Sequence, residues 1–154
     1  MKRLGLGILI LALANAGTFA QSTGGETSPT GCKTGNLEQE RAPVIESMRH
    51  FLAELKTAIR KGDKREIARM VQYPLNFSTM DATTTIHSEQ EFIDKYDRIL
   101  PKELKEFLLR QEPQCIGRVG ARGFSVGSGE IWFDIFDDGK VKIFAINAVV
   151  YPGE

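Results

Sequence analysis

The stretch that decides the fold is Gly127–Val150, GSGEIWFDIFDDGKVKIFAINAVV. Two runs rich in β-branched and aromatic residues, Glu130–Phe136 and Val141–Val150, flank Asp137-Asp138-Gly139-Lys140. Asp-Gly between apolar runs is a strong hairpin signal, because glycine accepts the positive φ that a tight turn needs. Alternation in the first run sends Ile131, Phe133 and Ile135 to one face and Glu130, Trp132, Asp134 and Phe136 to the other. Neither face is wholly polar, so both are expected to be partly covered. A hairpin apolar on two sides does not stand alone in water. The helices that precede it are the expected cover.

Working outward, Leu75–Thr79 and Thr83–His87 read as a short irregular hairpin around Met80-Asp81-Ala82. Cys115–Val119 and Gly123–Val126 read as a strand pair, and Gly127-Ser128-Gly129 as the turn into the main hairpin. Before them, Leu37–Lys61 reads as one long helix. Ile45, Met48, Leu52, Leu55 and Ile59 draw its apolar stripe, with Val44 and Phe51 on its flank. His50 stands about 140° from Ile45, on the solvent side. Gly62 serves as a left-handed cap.

Asp63 and Glu66 then open a short helix whose buried side is Ile67, Met70 and Val71, stopped at Tyr73 by Pro74. The cations Arg60, Lys61, Lys64 and Arg65, interleaved with Asp63 and Glu66, read as a solvated corner. Ser88 and Glu91 form a capping box for a third helix with Phe92, Tyr96, Ile99 and Leu100 inside. Pro101 starts a further helical segment carrying Leu104, Phe107 and Leu108, closed by Pro113. Helices segregated from an antiparallel sheet make an α+β domain.

The N-terminus reads separately. Met1-Lys2-Arg3 followed by the apolar run Leu4–Ala14 has the form of a secretory signal peptide, residues 1–20, cut after Ala20 or alternatively after Ala16. The run falls short of the roughly 20 apolar residues of a bilayer span, so no membrane span is expected. Residues 21–36, rich in Gly, Ser and Thr, read as a flexible leader, and residues 37–154 as the folded domain. The expected location is periplasmic or secreted. Removing Lys2 and Arg3 leaves 18 basic against 20 acidic side chains, a net charge of about −2. That balance argues against nucleic acid as a partner. Two cysteines, Cys32 and Cys115, in an exported chain point to one disulfide. In the chain-entropy model a loop that long contributes roughly 4–5 kcal/mol. Two cysteines without a nearby His make no metal site, and no cofactor is expected.

The long opening helix, IRKGDKREIARMVQYPL at Ile59–Leu75, SEQEFIDKYDRIL at Ser88–Leu100 and GEIWF…KIFAIN at Gly129–Asn147 resemble the NTF2-like superfamily. That superfamily includes ketosteroid isomerase and the SnoaL-like proteins, and the chain looks similar to its small exported bacterial members. The resemblance implies a cone in which a curved antiparallel sheet wraps N-terminal helices and leaves a pocket at one end. It further implies that Tyr73, Tyr96, Trp132 and Asp134 border that pocket. Because members range from enzymes to scaffolds, fold leaves function open.

An isomerase or dehydratase of this kind needs a carboxylate base at an apolar cavity and a group that stabilises an enolate oxygen. Asp134, Asp97 and Tyr73 are the inventory. Asp97 also reads as a solvent partner of Lys95, Arg98 or Lys102, and Asp134 as a cross-strand partner of Lys142. His87 reads as part of a helix start. No nucleophile elbow, metalloprotease helix, phosphate loop or Cys-x-x-Cys is present. No catalytic residue is therefore assigned, and the chain is read as a binding or interaction protein. Its expected occupant is a small apolar ligand in the cone or a protein partner on the outer sheet face, including a second copy. Trp132, Phe136, Phe144 and Ile146 are the residues of that face, and the same four read first as a core covered by helices.

Overall fold

A computed structural model describes residues 35–148. Both expected signal-peptide cleavage points and Cys32 lie outside those residues. The chain opens with a 3₁₀ turn at Leu37–Gln39, then α1 at Ala42–Lys61 and α2 at Lys64–Arg69. The single helix expected from Leu37 is thus broken. Pro43 sits in the first turn of α1, where its missing N–H costs nothing, and starts the helix afresh. The buried stripe is Val44, Met48, Phe51, Leu52, Leu55, Ala58 and Ile59, so its centre lies on what looked like a flank, and Ile45 is only half-buried. Gly62 caps α1 at φ 64° as expected, and the Asp63 carboxylate accepts from Glu66 N–H to cap α2.

The strand β1 runs Val71–Ser78, straight through a cis Tyr73–Pro74 bond. The second helix therefore ends before Val71, and Tyr73 belongs to the sheet. The strand β2 is Thr83–Ile86, paired antiparallel to β1 with Ser78 opposite Thr83. Three helical pieces follow: α3 at Glu89–Asp94, α4 at Tyr96–Ile99 and α5 at Lys102–Arg110. Ser88 caps α3 through Glu91 N–H, while the Glu91 carboxylate accepts from His87 N–H. The remaining strands are β3 Ile116–Arg118, β4 Phe124–Val126, β5 Ile131–Ile135 and β6 Val141–Asn147.

Among the described residues the six strands form one sheet in the order β2-β1-β6-β5-β4-β3. Every neighbouring pair is antiparallel except β1 and β6, which run parallel. The sheet is curved and unclosed, with β2 and β3 as its edges. Register shifts between Val71 and Asn76 in β1, and at Trp132/Phe133 opposite β6, supply the bends. Trp132 opposes Ala145 and Phe133 opposes Ile143, so Phe144 is the extra residue of a bulge. That bulge restores Ile146 to the helix side, opposite Ile131 and fully buried. The simple alternation that grouped Ile146 with Phe144 fails for this reason.

The core lies between α1 and the sheet. Phe51 meets Phe133 with ring centroids 4.9 Å apart, and Phe124 stacks on Phe133 at 6.4 Å. Met48, Leu52, Leu55, Phe77, Ile131, Ile143 and Ile146 fill the same layer, none more than 2% exposed. At the β3 edge, Gly35 N–H donates to Gln114 C=O at 2.7 Å. Asn36 acts there as a surrogate strand: its carbonyl oxygen accepts from Arg118 N–H at 2.6 Å and its amide donates to Arg118 C=O at 3.3 Å. The last two residues assigned to the leader are therefore bound to the folded domain, Asn36 to β3 and Gly35 to the turn before it.

Candidate functional site

The four residues expected to border one pocket divide between two sides of the sheet. Phe133 points at α1, so its neighbours Trp132 and Asp134 point away from the helices. Tyr73 turns toward the helices, and its hydroxyl donates to Ala68 C=O at 3.0 Å. Burial, with Glu89 nearby, pushes that phenol well above its usual range. Tyr96 is buried on the helix side as well, and burial with Asp97 adjacent raises its phenol too. Between these sides the space is occupied: a water-filled cone would leave accessible area on Phe51, Phe77 and Phe133, and each is 3% exposed or less.

The outer sheet face carries a half-buried aromatic strip. The Trp132 indole N–H donates to Gly129 C=O at 2.9 Å, and the Arg122 guanidinium lies 5.7 Å from its ring centroid. Phe144 meets Phe136 edge-on at 6.5 Å. Asp134 stands opposite Lys142 in register, but the expected pair does not form. Lys142 turns instead to Asp138, four residues earlier in the turn, at 2.8 Å, which holds that carboxyl below its usual range. Asp134 accepts only from Ile135 N–H, at 2.8 Å, and has no cation within ion-pair distance among the described residues. Arg122 likewise has no carboxylate partner among them.

The second place of interest is a depression of about 670 Å³ at the corner where α1, α2, α4 and α5 meet. It is lined by Ile59, Arg60, Lys64, Tyr96, Asp97 and Lys105 among others. The Lys64 and Lys105 ammonium groups lie 4.9 and 5.0 Å from the Tyr96 ring centroid and reach Asp97 at 3.1 and 3.2 Å. Both lysines hold the Asp97 carboxyl below its usual range. Asp97 was expected to pair with Lys95, Arg98 or Lys102. Lys95 is taken by Glu91 at 2.6 Å and Lys102 reaches Glu106 at 3.7 Å, and the partners are Lys64 of α2 and Lys105 of α5 instead. The corner that read as solvated surface thus contributes Arg60 and Lys64 to a formed depression. The hydroxyl of Tyr96 and the amide oxygen of Gln111 are buried without a hydrogen-bond partner among the described residues.

One residue escaped the sequence reading. Glu130 is 5% exposed, and its carboxylate accepts from Ser128 N–H at 2.7 Å and from the N–H groups of Gly129 and Glu130 itself. Burial nevertheless pushes its carboxyl up. The available signal was an acid directly after Gly-Ser-Gly, where freed N–H groups converge. It locks the turn, together with Asn147, whose amide donates to Gly129 C=O at 2.6 Å.

His50 is exposed beside Glu54 at 3.2 Å, as its angular position required. Among the described residues no group of three or more His, Cys, Asp or Glu side chains is placed to hold a metal, and no helix is long and apolar enough to cross a membrane. No described cysteine is a free thiol, and Cys115 is buried. No protein-family model, curated protein or solved structure matches this chain.

Proposed function

We propose that the chain is an exported, non-enzymatic interaction protein of NTF2-like fold, and that it works through the outer face of its sheet. The strand order, with the first long strand β1 parallel to β6 and helices leading into the sheet, supports the superfamily reading. The observation that carries the function is the contrast between the two faces. The helix side is filled by its own side chains, whereas Trp132, Phe136 and Phe144 stay partly open to solvent on the other. Aromatic residues in that state are typical interface anchors.

A second copy of the chain is the occupant this face fits. Arg122 and Asp134 lie beside the aromatic strip, carry opposite charge and have no ion-pair partner among the described residues. A second copy related by a two-fold axis would offer each an opposite charge, as a self-complementary interface requires. The isomerase alternative draws no support from the geometry. Asp134 lies on the outer face rather than against an enclosed apolar cavity.

Size-exclusion chromatography with light scattering tests this. A dimer is expected, weakened at least tenfold by Trp132→Ala and restored in part when Arg122→Asp is mixed with Asp134→Arg. A strict monomer at every concentration removes the homodimer. Turnover of a substrate that Asp134→Asn abolishes removes the non-enzymatic reading.

A further inference from the structure

The helix corner is electrostatically unfinished. Four cations line its depression, Arg60, Lys64, Lys102 and Lys105, against two carboxylates, Asp97 and Glu106. Lys102 reaches Glu106 at 3.7 Å, while Lys64 and Lys105 share the single carboxylate of Asp97. Arg60 has no acidic partner within ion-pair distance among the described residues. One carboxylate between two ammonium groups neutralises only half their charge. Those ammonium groups are not freely hydrated: the Lys105 side chain is 24% exposed and Lys64 43%, and both rest on the buried Tyr96 ring. Water therefore screens them less than it screens an open surface lysine. Lys102 also opens α5, the helix end at which the backbone dipole favours an anion rather than a cation. Stability alone would not place a lysine there.

Asp97 differs from its partners in being 72% exposed. It lies on the solvent side of the two lysines, held by them alone. An incoming anion can take its place, or join it, without disturbing the core beneath Tyr96.

We propose that this depression is a binding site for a doubly charged phosphate group. Lys64 and Lys105 grip its oxygens, Arg60 and Lys102 supply the balancing charge at the rim, and Asp97 is a built-in competitor that occupies the lysines when the site is empty. The net charge of the lining, plus two, matches the dianion of a phosphate monoester and suits the more highly charged pyrophosphate better than any monoanion. The tetrahedral group offers several oxygens to cations that converge from three helices. The site is on the helix side and shares no residue with the outer sheet face, so it stands or falls apart from the dimer.

Inorganic pyrophosphate titrated into the full mature chain, followed by calorimetry and by amide chemical shifts, is the test. Saturable binding with shifts centred on Lys64, Tyr96, Asp97 and Lys105 is expected. Lys105→Gln and Lys64→Gln, which keep the apolar stems, should each weaken it about tenfold, as loss of a charge-assisted hydrogen bond does. Asp97→Asn should tighten it several-fold by removing the competitor, and Trp132→Ala should leave it unchanged. Glycerol phosphate as a second probe separates the sources: binding as tight as pyrophosphate assigns an organic monoester, and weaker binding assigns a free polyphosphate. No saturation up to about 10 mM pyrophosphate, or equal affinity in both lysine variants with native circular dichroism, overturns the proposal.

Discussion

Glu130 shows how a single side chain sets the terms of its surroundings. Its carboxyl is buried, which favours the protonated form, while three backbone N–H groups favour the charged one; burial is the larger effect and the carboxyl is raised. A carboxyl raised on folding adds most to stability below its unfolded value, near pH 4.3, and that contribution is lost as pH rises through the folded value. Wild type should therefore lose stability relative to Glu130→Gln as pH rises from about 4.3 through the folded value, followed in urea titrations. Asp97 and Asp138, whose carboxyls are lowered, push the other way, but they cancel in the difference between the two proteins. Wild type gaining on the variant as pH rises would contradict the assignment. Two glycines make a second contrast. At Gly127, φ 71°, an added Cβ would collide with the Phe107 ring and the Glu130 carboxylate, whereas at Gly139, φ 75°, it meets nothing. Gly139→Ala should cost only the left-handed backbone penalty, about 1 kcal/mol. Gly127→Ala should cost about 2–4 kcal/mol by adding overpacking to that penalty, measured by urea denaturation. Neither difference could be read from the sequence, where the two glycines sit in equally plausible turns.

At the scale of elements, the legible features were those written into short spans. The Asp-Gly hairpin, the Ser88 cap and the Gly62 stop each depend on a few adjacent residues, and each is present. The errors arose where a neighbour far along the chain decides. Val71 to Tyr73 read as helix because Ile67, Met70 and Val71 keep helical spacing; pairing of Val71 with Ile143 of β6 draws them into a strand. The bulge at Phe144 shifts the face of Ile146 and is invisible in a pattern of alternating apolar residues. Likewise the pairing of Asp97 with α2 and α5 has no local signature. The short edge strand β3 makes the same point energetically, since its outer side is completed by the Asn36 amide. Asn36→Ala leaves Arg118 N–H and C=O to water and should destabilise by about 1–2 kcal/mol. Faster amide exchange at Arg118 than at Phe133 would accompany it; unchanged exchange there would show that the clasp carries no weight.

For the molecule as a whole, the clasp at Gly35 bears on the bridge expected from cysteine usage. Gly35 lies against Gln114, the residue before Cys115, and Cys32 is three residues upstream, a span of at most about 11 Å. We propose that Cys32 and Cys115 are joined, so intact mass should rise by two protons on reduction, and Cys115→Ser should lower the urea midpoint. An unchanged mass would dispose of the bridge. The α+β class was legible because helical and strand periodicities separate cleanly along the chain, but the strand order was not. Nothing local announces that the first strand lies beside the last. That parallel pairing has a consequence for synthesis. Until Val141–Asn147 has left the ribosome, β1 and β5 have no partner between them, and the sheet exists only as two separate fragments. A nascent chain of this design keeps its sheet open until its sixth strand is made, which is the condition a polypeptide must be in to be threaded through a narrow translocation pore.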